Sequence, residues 1–387
     1  MKITFVTSQS LSRHATIKRA WGLAPHLVAR GITTAVVCED CAENRAAAAA
    51  VPGLEGHYYP AGLTMRAERA AKSVLVSGAR GDVVHICGLG WRNALRRSAG
   101  SGRFVMDHVE LESAIAGTSP VRRLLQAGLE RWSFDHYDGT VAASRYLEFL
   151  VRRRQLGRRA VRPVLWLPFA FDEQTLRPEA ARAAEFRREA GGRVTISYMG
   201  GLYRNYGVHD LVAAYRSSPA LARAARLVFV GRGPEAESLR QQSRRTPEGG
   251  EIHYAGYLDE RSLASFLFAS DVLVSPLADT VQDWARCPSK TYMYLATRRP
   301  IVTPAIGENR EALGELGFYY APGNRASLAG ALERAAAVRT EMPYDLAAHT
   351  WVRRAADYVR WLETSLLGEN DLAPMETARE APARLAV

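Results

Sequence analysis

A chain of 387 residues is too long for one ordinary core and predicts two domains. Apolar residues make up 47% of it, which confines disorder to short pieces, and the lack of any eighteen-residue apolar run argues against a membrane-spanning helix. The net charge of +11, carried by 47 arginines against four lysines, favours anionic partners: nucleotides, phospholipid headgroups or nucleic acid.

The opening MKITFVTSQS has neither the apolar stretch nor the cleavage site of a signal peptide, so it reads as a strand, Ile3 to Val6, and a polar turn. A cytoplasmic protein is expected, with peripheral contact at the inner face of a membrane left open. A helix from about Thr16 to Arg30 stops at Gly31, and the β-branched run Ile32 to Cys38 follows as a second strand, completing a right-handed βαβ unit. Cys38 and Cys41 form a CxxC pair without the further ligands a zinc site needs, and no Asp-x-Asp metal signature appears, so no metal is expected. Further strands are predicted at Val83 to Ile86, Phe104 to Met106, Gly139 to Ala142 and Val164 to Leu167, with a helix over Ser144 to Arg154.

From Asp172 to Gly192 the chain turns charged and alanine-rich, a helix or linker. A second βα series follows, with strands at Val194 to Tyr198, Leu227 to Val230, Ile252 to Tyr254, Val272 to Ser275 and Ile301 to Thr303. Helices are expected over Val208 to Tyr215 and Glu235 to Gln242, with a turn at Gly231 to Pro234 between. Leu346 to Leu367 reads as one long helix anchored by Trp351, Tyr358 and Trp361, and a frayed tail follows Gly368. Two such series imply two open α/β domains, with ligands beyond the carboxyl ends of their strands. In RCPSKTYMYLATRRPIV, Pro288 and Ser289 start a helix, with Ser289 as N-cap, and Pro300 ends it. Lys290 in that first turn opposes the helix dipole unless an anion is bound there.

These motifs together resemble the retaining, nucleotide-sugar-dependent glycosyltransferases of family 4. The segments that carry the resemblance are Asp82-Val83-Val84-His85, LWLPFAFD (Leu165 to Asp172), YMGGLYRNYG (Tyr198 to Gly207), VGRGPE (Val230 to Glu235), Pro288 to Val302, and Ile306 to Glu311. The resemblance implies the GT-B architecture: two Rossmann-like α/β domains facing across a cleft, with a C-terminal helix returning toward the first. The divisions it implies are an acceptor-side domain over 1–172, a nucleotide-sugar domain over 173–350, the returning helix over 351–367 and a flexible tail over 368–387.

By the same resemblance, Lys290 binds a donor diphosphate oxygen. Gly200, Gly201, Arg204, Ser289, Asp283, Glu308, Asn309 and Glu311 complete the donor site. Gly201 and Tyr206 stand where the family has arginine and lysine, which leaves Arg204 to compensate. Met293 stands where a glutamate would hold the ribose, so Asp283, Glu308 or Glu311 takes that role, Glu311 foremost because it matches the family's G-x-N-x-E acid. In the first domain, His108 matches a histidine near the transfer point, where it orients the sugar or shares a proton. Asp107 and Glu110 flank it. Ser12, Arg13 and His14 occupy the loop that the family makes glycine-rich, an acceptor or phosphate loop.

The activity so implied is transfer of a sugar from a nucleoside diphosphate, UDP by default, to a hydroxyl on a small-molecule, glycan or lipid-linked acceptor. It is metal-independent and has no cofactor beyond the nucleotide-sugar co-substrate. Arg152 to Arg162, with six arginines and no acid, offers a surface for anionic lipid. The rivals are a catalytically impaired relative that only binds ligands, another reaction class on the same frame, and a nucleic-acid-binding protein. The last lacks any zinc-finger or RNA-recognition signature in the chain, and no nucleic acid partner is expected.

Overall fold

The structure is a computed structural model that describes residues 1–10, 15–95, 102–245 and 250–368. Ser12, Arg13 and His14, and the tail from 369 onward, lie outside the described residues. The chain divides into two compact units: Met1–Pro168 together with the segment from Trp351, and Phe169–Thr350.

The first unit holds seven parallel strands: β1 (Lys2–Val6), β2 (Thr33–Glu39), β3 (Leu54–Tyr59), β4 (Val83–Cys87), β5 (Arg103–His108), β6 (Gly139–Ala142) and β7 (Val164–Trp166). Their order is β3-β2-β1-β4-β5-β6-β7. Helices cover both faces, which is why β1 and β4 read as continuous apolar runs and not as alternating ones. The strand order reverses between β1 and β4, so the carboxyl ends of those two strands bound the ligand-binding crevice of such a sheet.

The second unit repeats the plan with β8 (Val194–Met199), β9 (Ala225–Val230), β10 (Arg244–Arg245), β11 (Glu251–Tyr254), β12 (Val272–Val274), β13 (Ile301–Pro304) and β14 (Phe318–Tyr320). The order is β10-β11-β9-β8-β12-β13-β14, parallel except for the short edge strand β10. Here the switch point lies between β8 and β12. Ile196, Tyr198, Leu227, Phe229, Val272, Val274 and Val302 form its central core.

The expected terminal helix is interrupted. A 3-10 turn, Leu346–His349, ends at an extended Thr350, and the α-helix begins afresh at Trp351 and runs to Trp361. Thr350 bridges to Phe171 within the second unit, whereas Trp351 belongs to the first. The helix packs there because Gly22 leaves room: a Cβ on Gly22 would lie 2.3 Å from the Trp351 ring. Tyr358 is fully buried and donates or accepts a 2.8 Å hydrogen bond with Nδ1 of His85 on β4. Among the described residues, no helix is long and apolar enough to cross a membrane.

Candidate functional site: a lysine at the second switch point

The loops leaving β8, β9 and β11 are joined backbone to backbone. Gly200 N–H donates to Val230 O (3.0 Å), Leu202 N–H to Arg232 O (3.0 Å), Glu235 N–H to Leu202 O (3.0 Å) and Gly231 N–H to Gly256 O (2.8 Å). Glycine is required at Gly231, whose φ is +142° and where a Cβ would lie 1.9 Å from the Gly200 carbonyl oxygen. The Tyr198 hydroxyl closes the first loop by donating to Gly201 O at 2.7 Å. Gly200 and Gly201 are thus held on a rigid shelf at the strand ends.

Lys290 points at that shelf. It is the second residue of the helix Ser289–Ala296, its Nζ lies 4.1 Å from the Tyr198 ring centroid, and a Cβ on Gly200 would be 3.7 Å from Nζ. The ring face attracts the cation. Among the described residues the ammonium makes no hydrogen bond or ion pair. Its pKa is lowered to about 7, first by burial, then by the Arg286 guanidinium, with Asp283 acting in the opposite sense. An ammonium with neither a hydrogen bond nor an ion pair among the described residues, in the first turn of a helix, is suited to an anion. Pro288, not Ser289, is the N-cap residue, and it offers no side-chain cap. The expected serine cap is therefore corrected by one position: proline fixes the backbone entry, which leaves the Ser289 hydroxyl inside the first turn.

The other residues expected at the donor site divide by burial. Arg204 is exposed on the 3-10 turn Arg204–Tyr206 and makes no ion pair among the described residues. Asp283 is buried, accepts from Ala278 N–H at 2.7 Å and holds Arg286 Nε at 3.1 Å. Glu308 is buried and accepts from the Tyr292 hydroxyl at 3.0 Å. Asn309 is buried as well: its amide donates to Thr303 (2.7 Å) and Ser275 (3.2 Å), and its oxygen accepts from Thr291 (2.7 Å). Asp283, Glu308 and Asn309 are thus engaged in polar contacts within the second unit. Glu311 is the exposed acid of the three ribose candidates, on the helix Gly307–Leu313. Sequence reasoning passed over Arg286, whose guanidinium sits 4.8 Å over the Tyr206 ring, and Tyr198; cysteine, proline and lysine drew attention away from both.

In the first unit, β5 ends in two buried residues. Asp107 accepts from Arg19 Nε at 2.7 Å, with His85 Nε2 at 3.7 Å, and both Asp107 and Arg19 are closed to solvent. His85, Cys87 and Asp107 bring potential ligand atoms within 4.8 Å of one another, but the Arg19 guanidinium already occupies the carboxylate. His108 is fully buried against Phe134, with ring centroids 5.2 Å apart, and burial lowers its pKa to about 4. Burial thus moves its titration below neutrality.

The titratable group that does fall there is Glu112, half-buried just beyond β5. Its pKa is raised to about 7 by burial, then by Glu110 and Glu130. Glu130 itself accepts from the Ser113 N–H (3.0 Å) and hydroxyl (2.7 Å). At the β1/β4 switch point, buried Lys72 donates to Ser8 Oγ (2.6 Å) and Asn93 Oδ1 (2.7 Å) and pairs with Glu68 (2.7 Å). This network fixes Ser8, which lies on the described chain after β1.

The arginine run 152–162 is not acid-free in three dimensions. Glu148 pairs with Arg152 (2.9 Å), and Asp135 pairs with Arg154 (3.6 Å) and with Arg158. Arg162 donates to the backbone oxygens of Tyr137 and Asp135. The fold supplies counter-charges that a linear reading could not see.

Residues 193–337, well under half of the chain, match the family model described as glycosyl transferases group 1. A glycogen synthase of Mycobacterium tuberculosis is 29% identical over 148 residues, which are 38% of this chain and 34% of that protein. The chain thus aligns with about a third of the length of its curated relatives. Anabaena HepE in complex with UDP and glucose has a similar fold, with a TM-score of 0.65 at 14% identity over 95% of this chain and 96% of that one. Sucrose-phosphate synthase from Thermosynechococcus elongatus gives 0.64 at 17% over 94% of each. A glycosyltransferase of avilamycin A biosynthesis gives 0.59 at 18%, over 95% of this chain and 98% of that one. The fold is therefore two Rossmann-like α/β domains of the GT-B kind, and residues 193–337 are similar to the group 1 glycosyl transferases.

Proposed function

We propose that the chain is a retaining glycosyltransferase that moves a sugar from a nucleoside diphosphate, UDP by default, to a hydroxyl acceptor without a metal ion. In this reading residues 1–172 serve the acceptor and residues 173–350 the donor, in the cytoplasm. The single observation that carries it is Lys290: a cation aimed at the glycine shelf of the second switch point, which makes no hydrogen bond or ion pair among the described residues. Its ammonium and the exposed Arg204 guanidinium hold the diphosphate, aided by the Ser289 hydroxyl and the backbone of Gly200 and Gly201. Glu311 accepts from the ribose hydroxyls in place of the glutamate that Met293 replaces.

As the glycosidic bond breaks, negative charge grows on the departing diphosphate, and Lys290 and Arg204 stabilise it more than they stabilise the intact donor. A departing phosphate oxygen takes the proton of the attacking hydroxyl on the same face, which gives retention. Glu112, when ionised, orients the acceptor by accepting from a second hydroxyl. Glucose bound with UDP in the Anabaena structure makes UDP-glucose the first donor to test.

Nucleotide sugars should raise the melting temperature by mass action. The best of them, incubated with candidate acceptors in EDTA, should then yield a product whose anomeric configuration by NMR equals the donor's. If no nucleotide sugar shifts the melt and none is consumed, the reading is wrong; an inverted product would overturn retention alone.

A further inference from the structure

A recess of about 350 Å³ opens at the opposite, amino-terminal end of the second sheet. Its floor is the start of β8 (Val194, Thr195), Asp271 just before β12 and Pro300 just before β13. Strand β8 has six residues, so roughly 20 Å of sheet, at about 3.3 Å per residue, separates this floor from the Gly200 shelf. The two sites share no residue.

Four arginines from three chain segments line the recess: Arg187 and Arg193, Arg299, and Arg339. Asp271 is the single acid, and its carboxylate already accepts from the Thr195 N–H at 2.8 Å. Arg187 spends one donor on Phe268 O (3.2 Å), and Arg339 donates to Val338 O (3.1 Å). Arg299 spends none. Its guanidinium has no hydrogen bond or ion pair among the described residues, and its Nε is closed to solvent without a partner. A guanidinium presents five donors in a planar fork that matches phosphate oxygens in pairs, and a buried donor left unmade is unfavourable. Like charges gathered around a concave wall also focus a positive potential into it.

We propose that this recess is a second anion site that takes a phosphate-bearing small molecule on Arg299, Arg193 and Arg339, separate from the donor site. Its volume lies at the lower end of the range for small-molecule pockets, which suits a diphosphate or a sugar phosphate and not an intact nucleotide sugar.

Inorganic pyrophosphate and a hexose phosphate are the probes, titrated calorimetrically into protein carrying Lys290→Ala and Arg204→Ala, which removes both cations of the donor site. The expected result is saturable one-site binding of at least one probe, weakened tenfold or more by adding Arg299→Gln, and weakening with salt. Tighter pyrophosphate binding identifies a bare phosphate site; tighter hexose phosphate binding identifies a sugar phosphate site. Should Arg299→Gln impair folding, exposed Arg339→Gln carries the same test with an expected loss of threefold or more. No saturable binding of either probe, or equal affinity in the arginine variants, overturns the proposal. Because the titration omits nucleotide and acceptor, its outcome is independent of whether the chain transfers sugar.

Discussion

Lys290 Nζ lies 4.1 Å from the centroid of the Tyr198 ring, and the same tyrosine's hydroxyl holds the Gly201 carbonyl at 2.7 Å. One side chain therefore positions both the cation and the glycine shelf. Removing the ammonium by Lys290→Ala should weaken UDP binding about 10- to 150-fold, the value of a charge-assisted hydrogen bond of about 1.5–3 kcal/mol. Tyr198→Phe keeps the ring and loses the latch, so it should cost less, about fivefold, the equivalent of roughly 1 kcal/mol. Calorimetric titration with UDP measures both. Equal affinities for wild type and Lys290→Ala would remove the lysine from the donor site.

The depressed pKa of Lys290 gives UDP binding a pH dependence of definite sign. Burial and Arg286 bring the free-enzyme value to about 7, so above that pH the side chain is mostly neutral and must take up a proton to meet the diphosphate. Affinity should fall as pH rises from 7 to 9, and titrations at pH 8 in buffers of different ionisation enthalpy should show uptake approaching one proton per UDP. Lys290→Arg, which stays charged, should abolish the uptake. The same shift acts on the unliganded fold: the unfolded lysine binds more protons than the native one between pH 7 and about 10.5, so this group's contribution to stability improves as pH rises through that window.

Glu112 predicts the opposite limb for the acceptor. Its pKa near 7 means that it ionises as pH rises through neutrality, and only the ionised carboxylate offers both oxygens to acceptor hydroxyls. The acceptor KM should fall between pH 6 and 8 in the wild type and be high and flat in Glu112→Gln. UDP affinity should be unchanged in that variant. An acceptor KM profile in Glu112→Gln that follows the wild type would assign the carboxylate a role in folding alone.

Much of the second unit was legible because its strands are short apolar runs bounded by glycine, as in VTISYMGG and LVFVGRG. Lys290 stood out because lysine is scarce and the helix start is marked by Pro288. What the sequence could not carry was burial. Glu308 and Asn309 look like site residues in IGENRE, yet the fold spends them on Tyr292 and on Ser275, Thr291 and Thr303. His108 reads as a residue that orients the sugar or shares a proton, and its contact with Phe134, 26 positions away in the chain, is not visible in the sequence. The β3 strand, LEGHYY, escaped notice because its outer half is exposed and polar, and β14 because it has three residues. The terminal helix was legible as a periodic pattern, but its break at Thr350 follows from where Trp351 packs, which local propensity does not encode.

Asp107 gives the last expectation, and it concerns stability more than transfer. Its carboxylate and the Arg19 guanidinium form an ion pair at 2.7 Å with both side chains sealed from solvent, and His85 connects the pair to Tyr358 on the terminal helix. Removing one partner leaves the other as an uncompensated buried charge, so Asp107→Leu should destabilise the first unit by about 3–5 kcal/mol. Replacing both partners with apolar residues, Arg19→Met with Asp107→Leu, should recover a substantial part of that loss, since the desolvation of both ions disappears with them. Tyr358→Phe removes one neutral hydrogen bond and should cost about 1 kcal/mol. Urea unfolding of the wild type, Asp107→Leu, Arg19→Met, the double variant and Tyr358→Phe, followed by tryptophan fluorescence, separates these cases. If the double variant is as unstable as the sum of the singles, the two residues act independently, and Asp107 is free to serve the acceptor as the sequence suggested.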